Sequence, residues 1–306
     1  MRLVTYERGG RRAGFLINER IYDIENCTSF LNFEVKMSCD MVRLLETWDA
    51  DLMNELNQQL AKLDSQGEEL PLQCWASLEE VKLLAPIPRP GKLICLGLNY
   101  RDHAEEQNVR IPDNPLLFAK ASTATLGHNQ PIVIPEGSTR VDYEAELAFV
   151  IGRRIRSAEA ADAGEAVFGY TCLNDVTERD MQRGEKQWFR GKSVDTFAPM
   201  GPCIVTSDEI EDPLSLSISS KLNGETMQNS STSNLIFSPP DIVKFIARTM
   251  TLEPGDVVST GTPGGVGVFR DPQIFLKDGD RIEITVEGIG TLSNPVVAAA
   301  KAAGAR

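Results

Sequence analysis

The segment Val141-Asp142-Tyr143-Glu144-Ala145-Glu146-Leu147-Ala148-Phe149-Val150 constrains this chain more than any other. It alternates with a period of two, the pattern of a strand. That period sets Asp142, Glu144 and Glu146 on one face and Tyr143, Ala145 and Leu147 on the other. Three carboxylates in a row on an otherwise apolar strand repel one another. Either water solvates that face, or a cation sits on it, most simply a divalent metal.

A length of 306 residues allows one large domain, or a domain with a smaller companion, around a substantial core. The net charge of −13 argues against nucleic acid as the main partner and against an anionic membrane surface. A small anionic substrate remains compatible, because a metal and a few Lys or Arg invert the field locally. No run reaches the ~18–20 apolar residues of a membrane span, and the first eight residues lack a signal-peptide core. The six cysteines are scattered with no C-x-x-C. A reduced, cytoplasmic protein with buried thiols is the expectation.

Residues 1–85 read as a small α+β unit. Short strands at 3–6, 13–17 and 20–24 flank turns at Gly9-Gly10 and Asn18-Glu19. Leu44, Leu45, Trp48, Leu52, Leu56, Leu60 and Leu63 recur at helical spacing, predicting a helix over 41–63. The Pro-rich stretch Ala85-Pro86-Ile87-Pro88-Arg89-Pro90-Gly91 marks a boundary, giving domains 1–85 and 86–306. Beyond it strands dominate, interrupted by helical candidates at 99–107, 158–163, 175–182 and 241–249. Their order lacks the regular alternation of a doubly wound parallel sheet. The fold class is therefore α+β, with an antiparallel or mixed sheet. The Ala-rich tail, 298–306, reads as a frayed or disordered end.

Only two histidines are present, His103 and His128, so no H-E-x-x-H zinc motif exists. There is no G-x-S-x-G elbow either. Thr260-Gly261-Thr262-Pro263-Gly264-Gly265-Val266-Gly267 lacks the Lys-Ser/Thr of a P-loop. It is either a plain turn or a backbone cradle for an anionic group. Asn99, with Asp102 three residues on, resembles a capped helix start. On such a helix His103 and Glu106 share a face. They form either a general base with its orienting carboxylate, or an incidental surface ion pair. Asp175 follows an apolar strand, where N-caps and active sites both occur.

Taken in order, these segments resemble the fumarylacetoacetate hydrolase family. The matching pieces are Gly97 to Glu106, Pro115 to Lys120, Val141 to Leu147 and Gly169 through Asn174-Asp175-Val176-Thr177-Glu178-Arg179-Asp180 to Gln182. They continue with Gly191-Lys192-Ser193, Pro199 to Pro202, Asn223-Gly224-Glu225, Leu252 to Asp256 and Thr260 to Gly267. The resemblance covers about residues 90–297. It implies a mixed β-roll catalytic domain, usually in a homodimer, with Mg²⁺, Mn²⁺ or Ca²⁺. By position Glu144, Glu146 and Asp175 would be the metal ligands, with Asp102 a further ligand in some members. His103 and Glu106 match the water-activating dyad, and Lys192 the lysine facing the substrate. Arg179, Gln182, Thr262 and, more weakly, Lys120 match substrate contacts.

The implied first choice is hydrolysis of a C–C bond in an acylpyruvate or related 2,4-dioxo acid. His103 would deprotonate water, and the departing pyruvate enolate would be held by the metal. The same enolate serves decarboxylation of an oxaloacetate-like acid, and isomerisation or tautomerisation of 2-oxo dicarboxylates. A sugar-acid dioxo hydrolase ranks third. A non-catalytic metal-binding β protein is the rival of a different class. The segment 99–113 is expected to act as a lid.

Overall fold

The computed structural model describes residues 1–33, 37–67, 70–157 and 160–302. Among them a twelve-stranded mixed sheet forms the frame. Its main path runs Trp75–Ser77, Arg20–Asp23, Arg11–Ile17, Arg2–Glu7, Ala198–Thr206, Val167–Asn174, Ala145–Ile151, Val257–Ser259, Leu93–Gly97 and Leu116–Lys120. Neighbours pair antiparallel except Val257–Ser259 with Leu93–Gly97, which is parallel. The class is the mixed α+β one expected. The boundary at 85/86 does not interrupt the sheet. Leu3 pairs with Ile204, so the first strand of the N-terminal unit continues the sheet of the rest.

Local chemistry sets the turns. Gly9 and Gly10 carry positive φ between two paired strands, where glycine pays no Cβ penalty. The predicted helix over 41–63 is two helices, Met41–Glu46 and Ala50–Gln66. Asp49 ends the continuity: its side chain accepts from Leu52 N–H and caps a new helix. That second helix stops at Gly67, at φ 67°. The candidate at 158–163 lies partly outside the described residues; the helix there is Ala160–Glu165. Residues 303–306 of the tail are also outside them, and Ala299–Ala302 is helical.

A five-stranded sheet covers one face of the frame, in the order Glu225–Ser231, Ser217–Leu222, Arg281–Val286, Gly290–Ala298, Ile132–Ile134. Its Ile218, Ile284 and Leu292 join Leu147, Phe149 and Ile151 in one core. On the other face Ala148 and Val150 pack with Leu44, Met53, Leu56 and Leu60 of the N-terminal helices. The Ala145–Ile151 strand is thus buried along its whole length, between two cores. Each of its large side chains contributes about 1.5–3 kcal/mol by burial. The six cysteines are free. No helix of the described residues is long and apolar enough to cross a membrane.

Candidate active site

The acidic segment is not one continuous strand. Val141–Asp142 pairs with Thr177–Glu178, the chain breaks step at Tyr143-Glu144, and Ala145–Ile151 resumes in the main sheet. The expected helix over 175–182 is replaced by that short Thr177–Glu178 strand and a π-helical turn, Asp180–Gly184. Register then builds the cluster. Ala145 lies opposite Asn174, so Glu144 and Asp175 sit just past the paired ends, and Asp175 N–H donates to Glu144 C=O at 2.9 Å. Carboxylate oxygens of Glu144, Glu146 and Asp175 all lie within 4.8 Å of one another, and all three residues are buried.

Asp142 departs from the one-face expectation. Its carboxylate accepts from Arg179 Nε and Nη2, at 2.9 and 2.7 Å, and from the N–H groups of Gly267 and Val268. It is a structural anion that fixes Arg179. A Cβ on Gly267 would lie 2.5 Å from Asp142 Oδ1 and 1.8 Å from Ile274 O, so only glycine fits there.

Cations of the chain surround the triad. Lys192 Nζ donates to Glu144 Oε2 at 2.8 Å and Asp175 Oδ2 at 2.5 Å. Arg179 Nη2 donates to Glu144 Oε1 at 2.7 Å. Lys120 Nζ donates to Asp175 Oδ1 and to Val176 C=O. Burial alone would raise Glu144, but Lys192 and Arg179 outweigh it and hold the carboxyl below the usual range. Burial alone would lower Lys192; Asp175 and Glu144 reverse it and keep the ammonium charged.

Glu146 is the exception. Its Oε2 accepts from Ser259 Oγ and from Gly261 N–H, but its buried Oε1 has no partner. Burial, then Asp175 and Glu144, push its carboxyl well above the ordinary value. An unpartnered buried oxygen beside two more carboxylates fits a hard divalent cation, which would complete its shell with water or substrate oxygens. The expected ligands Glu144, Glu146 and Asp175 therefore come together. Asp102 does not join them. Its oxygens accept from His103 N–H, Ser230 Oγ and Asn234 Nδ2, so it anchors the start of its helix.

His103 and Glu106 lie on the helix Arg101–Glu106. Asn99 does not cap it; its side chain instead bonds Phe237 and Thr260 backbone and pins the helix entrance. His103 is buried and its Nδ1 lies 3.0 Å from Glu106 Oε2. Its Nε2 lies 2.7 Å from Gln107 Nε2. The amide nitrogen only donates, so Nε2 accepts and Nδ1 carries the proton towards Glu106. The ring is buried, hydrogen-bonded at both nitrogens and set on the cavity, so the pair is not a surface ion pair.

That cavity, about 270 Å³, is lined by His103, Gln107, Glu144, Arg179, Gln182 and Lys192. Leu116, Phe118, Trp188 and Phe269 form apolar walls, and Arg183 and Thr262 also reach it. Thr262 Oγ1 is already spent, donating to Ala145 C=O and accepting from Gln228. Lys120 does not line the cavity and serves Asp175 instead. Sequence reasoning missed Gln107 and Arg183. Each stands four residues after a residue that was singled out, His103 and Arg179, and that spacing was the available signal.

Several comparisons bear on this site. The description "Fumarylacetoacetate (FAA) hydrolase C-terminal" matches residues 92–297. The oxaloacetate tautomerase fahd2, mitochondrial, of Xenopus laevis is 42% identical over 301 residues, 97% of this chain and 90% of that one. A 5-carboxymethyl-2-hydroxymuconate delta-isomerase structure from Mycobacterium smegmatis is 36% identical with TM-score 0.73, over 97% of this chain and 99% of that one. A maleylpyruvate hydrolase from Sphingobium sp. SYK-6, in complex with manganese and pyruvate, is 30% identical with TM-score 0.75, over 97% and 99%. The chain belongs to the fumarylacetoacetate hydrolase family of enzymes.

Proposed function

We propose that this protein is a divalent-metal-dependent tautomerase of a 2-oxo dicarboxylic acid of the oxaloacetate type. The observation that carries this is His103, oriented by Glu106 through Nδ1 and with its Nε2, which meets Gln107, on a small polar cavity beside a carboxylate triad. The likeness to an oxaloacetate tautomerase favours it over C–C hydrolysis, the first expectation from sequence.

Glu144, Glu146 and Asp175 would hold the ion, Mg²⁺ or Mn²⁺. When bound, it supplies Lewis-acid polarisation of the 2-oxo acid, which acidifies the adjacent carbon. His103 Nε2 takes a proton from that carbon, and Glu106 stabilises the imidazolium that forms. Lys192 donates to the oxygen that becomes the enol hydroxyl. Phe118, Trp188 and Phe269 give the cavity an apolar side that would limit water beside the substrate. Of the expected lid, 99–113, the part beyond the helix Arg101–Glu106, with Val109 and Ile111 exposed, would close the mouth. A homodimer and a cytoplasmic or organellar setting belong to this proposal.

A second reading, hydrolysis of an acylpyruvate, rests on the same dyad activating water and on the likeness to a maleylpyruvate hydrolase. Side-by-side assays separate the two. Enol-oxaloacetate decay and acetylpyruvate cleavage are followed with Mn²⁺-loaded protein. Rapid enol decay with little cleavage supports the tautomerase. Efficient release of acetate and pyruvate, with no enol decay above buffer, overturns it.

A further inference from the structure

Arg183 stands apart from the other cations at the cavity. Arg179 is committed to Asp142, Glu144 and Gln182, and Lys192 gives two of its three N–H donors to Glu144 and Asp175. Arg183 has neither a hydrogen bond nor an ion pair among the described residues, although it lines the same cavity. Its guanidinium lies 4.9 Å from the centroid of the Phe269 ring, and the His103 ring lies 5.8 Å from that same centroid. Phe269 is thus flanked by the base and by this arginine. Stacking on an aromatic face orients a guanidinium while leaving its N–H edge free.

The charges acting on Arg183 are Arg179, Arg140, Asp142 and Glu144. Both carboxylates are already held by Arg179 and, for Glu144, by Lys192. Arg140 is paired with Asp180. Burial, then Arg179 and Arg140, lower the pKa of Arg183 from its ordinary value, and Asp142 and Glu144 offset this only in part. A free, oriented guanidinium at the mouth of a cavity matches a carboxylate in bidentate geometry.

We infer that Arg183 binds the distal carboxylate of the substrate and makes the site selective for 2-oxo dicarboxylates over 2-oxo monocarboxylates. This rests on the tautomerase reading for the identity of the reaction, but not for the charge preference. The carboxyl and keto groups at one end of the acid would go to the cation that the triad would hold, with Lys192 beside it, and the second carboxylate reaches past His103 to Arg183. The reacting carbon then lies between the two anchors, next to the base.

The test compares oxaloacetate with its 4-methyl ester, which lacks the distal charge, in wild type, Arg183→Met and Arg183→Lys. The readout is the ratio of kcat/KM for the two acids. Wild type is expected to favour the dianion. Arg183→Met is expected to lower that ratio about 10- to 100-fold, the scale of one charged hydrogen bond, chiefly through KM. Arg183→Lys keeps part of the preference. A ratio unchanged in Arg183→Met overturns the inference. So does an equal loss on both acids.

Calorimetric binding of 2-oxo-3,3-dimethylbutanedioate and its 4-methyl ester, which have no C3 hydrogen to lose, keeps the two claims apart. If wild type turns over neither acid, the tautomerase reading fails. A preference for the dimethyl dianion that Arg183→Met abolishes then still upholds Arg183, and equal affinities in wild type and variant still overturn it.

Discussion

The backbone N–H of Gly265 donates to Oε1 of Glu106 at 2.9 Å, while the other oxygen of Glu106 faces His103 Nδ1. The dyad is therefore braced from the glycine-rich loop. The same loop gives Gly261 N–H to Glu146 and Gly267 N–H to Asp142. Its backbone cradles three of the protein's own carboxylates rather than an anionic ligand. This answers what the sequence left open for Thr260 to Gly267.

Gly265→Ala tests that brace. Gly265 has φ 99°, and an added Cβ would lie 2.5 Å from Met227 O. The loop must shift, and Glu106 loses its donor. Turnover is expected to fall about 10²-fold, the scale of a displacement near 1 Å. Affinity for Mn²⁺, measured by calorimetry, should change little. An unaltered kcat would remove the brace from the account.

Glu106→Gln keeps the shape of the side chain but not its charge. The imidazolium formed during proton transfer loses its counter-ion. A drop in kcat of ~10²–10⁴-fold is expected, with metal affinity retained. Full activity in this variant would mean that His103 works without Glu106.

Glu146→Gln separates stability from function. Burial and its acidic neighbours raise the Glu146 pKa in the folded state. The metal-free fold therefore binds a proton that the unfolded chain releases. Its stability falls as pH rises from the unfolded carboxylate value through the folded one. The metal-free variant should melt higher than metal-free wild type at pH 8, and the two should converge in acid. Added Mn²⁺ should stabilise wild type alone. Thermal melts with chelator and with Mn²⁺ report both effects, and a variant still stabilised by Mn²⁺ would contradict Glu146 as a ligand.

His128 carries a pH effect of opposite sense. Its Nδ1 accepts from Ser293 N–H, and burial, then Arg281, lower its pKa below 6.5. The unfolded chain takes up the proton first. The stability it contributes is whole above about pH 6.5 and is lost as pH falls towards the folded value. The advantage of wild type over His128→Gln in melting temperature should therefore shrink between pH 7.5 and pH 5. A constant difference across that range would show that His128 does not titrate in this way.

The class and the triad were legible because both rest on local signals. Alternation marked Ala145 to Val150, and short polar-bounded apolar runs marked most of the strands. Glu144, Glu146 and Asp175 came from motif order. What was not legible depends on distant partners. Asp142 obeys the same alternation as Glu144 and Glu146, yet Arg179 and two loop N–H groups claim it. The break at Tyr143-Glu144 that separates them follows from pairing with Thr177–Glu178, which no local pattern announces. Helical spacing ran through Thr47 to Asp49, and a cap at Asp49 won over it. Arg183, which is exposed, carried no motif signal, and its place at the cavity beside Phe269 comes from the fold.

The most direct test of the central claim is keto–enol interconversion of oxaloacetate by wild type and His103→Ala. Each is measured after chelator treatment and again with Mn²⁺ restored. The account requires a rate that appears only with the ion and only with His103, while His103→Ala still binds Mn²⁺. Interconversion that persists without the ion, or that is equally fast in His103→Ala, would contradict it.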